Sequence, residues 1–301
     1  MTQAALFRTN KAGYRRSLAN PGYRPPPGTC DCHIHVLGPY DRHPLLETGT
    51  VDPPEAPLEA YRRLVMPLGV ERVVVVQPSM YRYDNRPTLE AVAALGEAAR
   101  AVVVVDPAVT AAELQTLHRQ GARGVRLQKV AKGGLGFEHL ESIAAKVAPL
   151  GWHLQFWIDA REVPELLPRL QALPLPIVFD HAAKILPDSA ENEPGFQALL
   201  ELLAGGQAWV KLGNPLHEIT QARARALFQA NPARVVWGSD WPHCAWREVI
   251  ADEGLLLAEL AAWFPDEAAR LIVEVDNPAR RYFGWGVSTS AAAARARCRG
   301  R

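Results

Sequence analysis

The chain is poor in sulfur, with four cysteines and three methionines in 301 residues. Cys30 and Cys32 fall in one apolar run and are read with side chains on opposite faces; Cys244 and Cys298 stand apart. No disulfide framework follows, and the expected compartment is a reducing cytoplasm. A zinc knuckle would need a second close Cys or His pair, and Cys30 and Cys32 do not have the usual knuckle spacing. No apolar run approaches the roughly 20 residues that cross a bilayer. Residues 1–19 lack the contiguous apolar core of a secretory signal. The formal net charge is only +1, so no global field favours nucleic acid or a membrane surface. Neither internal repeat nor glycine-rich phosphate turn after the first strand is present, and the second absence speaks against a doubly wound dinucleotide fold.

What the chain does have is alternation. Strand-like runs occur at 30–36, 72–77, 101–105, 124–128, 152–158, 176–180, 208–212 and 234–238. Runs such as Val73-Val74-Val75-Val76 do not alternate with polar residues, as expected of parallel strands covered on both faces. Between them lie stripes of helical period: Leu140, Ile143, Ala144 and Val147; Val163, Leu166, Leu167 and Leu170, with Pro168 as a candidate kink; Phe196, Leu199, Leu200 and Leu203. Eight βα units in order predict a single-domain (β/α)8 TIM barrel over residues 29–284. Helices over 255–263 and 276–283 are expected to close it. Residues 1–28, rich in Pro, Gly and Arg, read as an extended arm, and 285–301 as a disordered tail.

The chemistry-bearing residues end these strands. His33 and His35, two apart at the end of the first strand, share a face that points into the barrel. His181 ends the sixth strand and Asp240 follows the eighth. A barrel's active site lies at the carboxyl ends of its strands. Three imidazoles and a carboxylate there can bind a divalent metal or polarise a carbonyl, and Asp240 can take a proton from water and return it to a leaving group. The bland alternatives are core histidines, a helix cap at Asp240, and a pair between His181 and Asp180.

Together the motifs Asp31-Cys32-His33-Ile34-His35, Val76-Gln77-Pro78-Ser79, Gly124-Val125-Arg126, Phe179-Asp180-His181, Val210-Lys211-Leu212, Trp237-Gly238-Ser239-Asp240-Trp241-Pro242-His243 and Asn277-Pro278-Ala279-Arg280 resemble the amidohydrolase superfamily, in its amidohydrolase-related branch. The likeness covers roughly 29–284. It is strongest to the lactonase group that includes 2-pyrone-4,6-dicarboxylate lactonase and the sugar- and muconolactone hydrolases. Binuclear members carry a bridging lysine after strand four and a further histidine, which this chain lacks. Lys211 reads as a strand residue, not a bridge. The resemblance therefore implies one divalent metal, zinc or manganese, or none, with His33, His35, His181 and Asp240 as the ligand set.

The resemblance also implies that Ser79 borders the substrate; Tyr81, Asn214, His217 and His243 are further candidates from their places after the strands, although the 214–217 segment does not match the dicarboxylate lactonase closely. Arg126, on a barrel strand, suits a substrate carboxylate through its planar fork, and Lys129 and Lys132 follow it. Lys132 stands where the dicarboxylate lactonase has an arginine. A lysine is the poorer bidentate partner, so a different small anionic lactone, with one carboxylate or a sulfonate, fits better. The expected activity is lactone hydrolysis by Asp-activated water. The alternatives are a zinc-dependent nonoxidative decarboxylase and, from another class, a binding barrel without catalysis. A homo-oligomer is left open.

Overall fold

The computed structural model describes residues 13–46, 52–128, 134–184, 193–213, 219–244 and 251–284. Among them, eight parallel strands form one sheet in chain order: β1 (Cys30–Ile34), β2 (Arg72–Val76), β3 (Ala99–Val103), β4 (Ala122–Gln128), β5 (His153–Trp157), β6 (Ile177–Phe179), β7 (Ala208–Leu212) and β8 (Val235–Trp237). All eight lie where the apolar runs predict them. β8 meets β1 through a parallel bridge between Ile34 and Trp241, so the sheet curls into the expected barrel.

The helices that wrap it are α1 (Leu58–Leu64), α2 (Arg86–Leu95), α3 (Ala111–Arg119), α4 (Leu140–Val147), α5 (Val163–Gln171), α6 (Pro194–Ala204), α7 (Gln221–Ala230), α8 (Glu253–Trp263) and α9 (Glu267–Leu271). Their starts follow from capping chemistry. Thr110 and Glu113 form a reciprocal capping box on α3, and Asp252 caps α8. The stripe of α4 is buried in full. In α6, Leu202 is buried and Leu200 is only half-buried. α5 runs on through Pro168. Wider helical turns at Ile272–Asp276 and Ala279–Phe283 close the chain as expected. No helix among the described residues is long and apolar enough to cross a membrane. Residues 13–28 form no helix or strand; 1–12 and the tail 285–301 lie outside the described residues.

Side chains alternate about the sheet. Val74, Val76, Val102, Val178 and Val236 meet inside with Cys30 and Cys32, while Val73, Val75, Ala101, Val103 and Val125 join the helices outside. The opposite-face reading of the two cysteines is thus corrected. Residues two apart on a strand share a face, and the sulfur atoms are 3.7 Å apart. That parity alone would turn His33 outward. β1 carries a bulge instead: Asp31 pairs with Val73 and Ile34 with Val75, three residues against two. The extra residue flips the face, so Cys32 and His33 both enter the barrel.

Residues 13–28 lie against this frame. Tyr23 donates its hydroxyl to Glu274 Oε1 at 2.9 Å, while Glu274 Oε2 is buried without a hydrogen-bond partner. Burial pushes the Glu274 carboxyl up to about 7, against the Tyr23 hydrogen bond. The folded state therefore keeps a proton that the unfolded chain loses near pH 4.5, and the group's contribution to stability falls as pH rises from there through 7. In urea unfolding, the loss of stability between pH 5 and pH 8 is expected to be smaller in Glu274→Gln than in the parent, by on the order of 2 kcal/mol.

Candidate active site

The site is built on the seam between β1 and β8, and Asp31 holds that seam. Its Oδ1 accepts from the amides of His33 (3.1 Å) and Ser239 (2.8 Å); its Oδ2 accepts from Ser239 Oγ (2.6 Å) and Tyr61 OH (2.9 Å). Burial pushes this carboxyl up to about 6 despite four donors. Two backbone bonds extend the seam: Asp240 N to His33 O at 2.9 Å, and His35 N to Trp241 O at 2.7 Å. Gly238 permits the close approach, since a β-carbon there would sit 2.7 Å from that of His33.

The seam brings Asp240 onto the imidazoles. Its Oδ1 lies 3.5 Å from Nε2 of each of His33, His35 and His181. The Nε2 atoms of His33 and His35 are 3.3 Å apart. Their other ring nitrogens are committed elsewhere: His35 Nδ1 to Val76 O at 2.7 Å, His181 Nδ1 to Gly213 O at 3.1 Å, and His33 Nδ1 to Asp180 Oδ1 at 3.2 Å. A backbone carbonyl only accepts, so His35 and His181 carry a hydrogen on Nδ1 and turn Nε2 inward, while His33 Nδ1 stands between Asp180 Oδ1 and Lys211 Nζ, the latter 3.4 Å away. Burial lowers the pKa of His33 and His181, against the pull of the neighbouring carboxylates. Burial also opposes the charge of Asp240, but the surrounding His181, His35 and His33 outweigh it and hold the carboxyl below its ordinary range.

This donor set suits a divalent ion. Tetrahedral ligands at zinc distances stand about 3.3–3.4 Å apart, close to the spacings among His33, His35 and Asp240. His33, Asp180 and His181 form another group of metal-capable atoms, yet Asp180 already faces cations. Its Oδ2 accepts from Arg126 Nε at 3.0 Å and Gln155 Nε2 at 3.1 Å; its Oδ1 lies 3.4 Å from Lys211 Nζ, which donates to Gln155 Oε1 at 2.8 Å. Burial works against Asp180's charge, and His33, Lys211 and Arg126 overcome it, holding the carboxyl well below the usual range. The simple pairing of His181 with Asp180 is therefore replaced by a buried network under His33.

His181 itself sits on an unusual backbone. His181, Ala182, Ala183 and Lys184 have φ of 51°, 49°, 55° and 55°. Four successive non-glycine residues in the left-handed region cost about 1–2 kcal/mol each. Buried Ala182 and Ala183 are small enough to fit there.

Of the other expected residues, Ser79 is buried in a turn after β2, and the Tyr81 hydroxyl accepts from Gly38 N at 2.8 Å. Arg126 is buried; among the described residues its hydrogen bonding is from Nε to Asp180, and its guanidinium carbon lies 5.3 Å from the Trp157 ring centre. His243 puts Nε2 2.8 Å from Glu253 Oε1, anchoring the loop after β8 to the start of α8. Lys129, Lys132, Asn214 and His217 lie outside the described residues. Asp31, Gln155, Asp180 and Lys211 were not expected as site residues. The signal for two of them was available: a charge inside an apolar strand, as in Ala-Trp-Val-Lys-Leu or Ile-Val-Phe-Asp, needs a partner.

A family model described as amidohydrolase matches residues 30–284. The chain belongs to the amidohydrolase family. A 4-sulfomuconolactone hydrolase of Hydrogenophaga intermedia is 32% identical over 270 residues, 85% of this chain and 89% of that protein. A D-galactarolactone isomerase of Agrobacterium fabrum is 34% identical over 272 residues, 86% of this chain and 91% of that protein. An apo crystal structure from Agrobacterium tumefaciens superposes with a TM-score of 0.80 at 31% identity, over 89% of this chain and 100% of that one.

The left-handed turn makes a stability prediction. Ala→Gly normally costs about 0.5–1 kcal/mol. At Ala183 relief of strain is expected to offset that and the lost methyl burial, leaving Ala183→Gly within about 0.5 kcal/mol of the parent in urea unfolding. Ala183→Val, branched at φ 55°, is expected to lose more than about 2 kcal/mol.

Proposed function

We propose that this protein is a hydrolase that opens the ring ester of a small anionic lactone. The observation that carries the proposal is the convergence of three inward-facing Nε2 atoms on one oxygen of ionised Asp240, each at 3.5 Å. The relatives named for lactone chemistry support it. His33, His35, His181 and Asp240 would hold one divalent ion, zinc or manganese. When bound, such an ion supplies Lewis-acid polarisation of the lactone carbonyl and a more acidic water. A second ion is disfavoured by the positive surroundings of Asp180.

The chain's own residues then divide the work. Asp240 takes a proton from water, and the water oxygen bonds to the carbonyl carbon. The bond from that carbon to the ring oxygen breaks, and Asp240 returns the proton to the departing oxygen. The imidazoles, held through their Nδ1 atoms, keep the inward Nε2 atoms of the ligand set in place without reorganisation. Arg126, with Nε held by Asp180, is left to offer its two Nη groups to the substrate's carboxylate or sulfonate. Ser79 and Tyr81, in the turn after β2, are the further residues proposed to border the substrate. The product is an open-chain acid. The absence of a disulfide framework in the sequence fits the proposal of a reducing compartment.

The isomerase relative favours a second reading, in which a hydroxyl of the substrate replaces water as the acyl acceptor. Hydrolysis liberates acid and isomerisation does not. A screen of anionic lactones with a pH indicator is expected to show acid release. Carbon dioxide release would instead mark decarboxylation, and conversion without acid would mark isomerisation.

On the substrate found, Asp240→Asn is expected to lower kcat by about 10²–10⁴-fold; turnover at the parent rate would remove Asp240 as the base. Arg126→Lys is expected to raise KM about 10–100-fold for an anionic lactone and far less for an uncharged one. Equal effects on both would show that Arg126 does not hold the anion.

A further inference from the structure

Residues 13–28 precede the span matched by the family, yet they run along the seam that builds the site. At the lower end, Gly28 N donates to Glu71 Oε2 at 2.8 Å, and Arg72 Nε donates to Gly28 O at 2.7 Å. Tyr23 reaches Glu274 beyond β8. At the upper end, Ala19 N donates to both carboxylate oxygens of Asp252, at 3.1 and 3.2 Å. Gly254 admits the strap there, since a β-carbon on it would overlap the Ala19 carbonyl oxygen. The neighbouring Glu253 holds His243. Strap, start of α8 and strand-eight loop are therefore one packed unit.

The strap touches the seam through Tyr14. This buried ring packs on Trp241 with centroids 5.3 Å apart, and Tyr61, whose hydroxyl binds Asp31, packs on the same indole at 5.3 Å. Trp241 follows Asp240 directly. Its carbonyl accepts from His35 N, and its amide donates to Ser239 Oγ at 3.0 Å. Asp240 and His243 have φ of 65° and 63°, so this loop sits in a conformation that side chains disfavour and needs holding from outside.

We propose that the strap is a positioning element of the active site. Tyr14 acts through Trp241 to keep Asp240 and His35 in register, an inference that rests on Asp240 being the base. Among the described residues the Tyr14 hydroxyl accepts from Arg16 Nη1, itself on the strap, so the ring is the working part.

The test compares full-length Tyr14→Ala, Tyr14→Phe and Tyr23→Ala, the last loosening the strap at its other end. Two readouts are taken: steady-state kinetics on an anionic lactone, and amide hydrogen exchange of the 235–244 segment by mass spectrometry. Tyr14→Ala is expected to lower kcat about tenfold with KM within about twofold, and to speed exchange in that segment. Tyr14→Phe is expected to restore both, and Tyr23→Ala to lower the unfolding temperature while moving neither. The proposal is overturned if Tyr14→Ala keeps the parent kcat, if its seam amides stay as protected as the parent's, or if Tyr23→Ala loses as much kcat. Should the parent open no anionic lactone, the lactonase reading fails, and the exchange comparison alone decides the strap's role.

Discussion

The arrangement depends first on a carboxylate that does no chemistry itself. Asp31 sits one turn of the pleat before His33 and binds the backbone and side chain of Ser239, the residue before Asp240. It thereby fixes the two ends of the barrel against each other at the point where base and imidazoles must meet. Its cost is visible in the same place: a buried carboxyl raised to about 6 even with four donors is poorly solvated by its surroundings. Loss of those donors would leave it worse placed still, so the contacts at the seam are mutually dependent.

A second layer of charge lies beneath. Arg126, Lys211 and Gln155 surround Asp180, and Asp180 faces His33. A lone buried lysine or arginine would be expelled or neutralised; paired around one carboxylate they persist. This gives the site a division by depth. Fixed charges at the base set the orientation of the first imidazole, and the three Nε2 atoms above them face Asp240.

Much of the architecture was legible because parallel strands covered on both faces leave unbroken apolar runs, as at Val73–Val76. His33, His35, His181 and Asp240 were legible because polar residues at the ends of such runs cluster at one barrel mouth. The reason given for His33 was incomplete. Simple alternation cannot put both Cys32 and His33 inside, and the bulge that does so is a property of pairing with β2, which no local pattern in β1 reveals. The Asp180 network was missed for a related reason: its members come from β4, β5, β7 and the end of β6, and only the closed sheet makes them neighbours. The left-handed turn at 181–184 also escaped, since Ala-Ala carries none of the glycine or asparagine that usually marks positive φ.

Because the imidazole pair is on the first strand and the carboxylate follows the last, the site has no precursor within any shorter piece of the barrel. A ribosome makes His33 and His35 early, and they wait for nearly the whole domain before Asp240 can reach them. Placing the two halves of the site at opposite ends of the chain makes competence a readout of completed folding, and an unfinished chain carries the ligands without the ability to act.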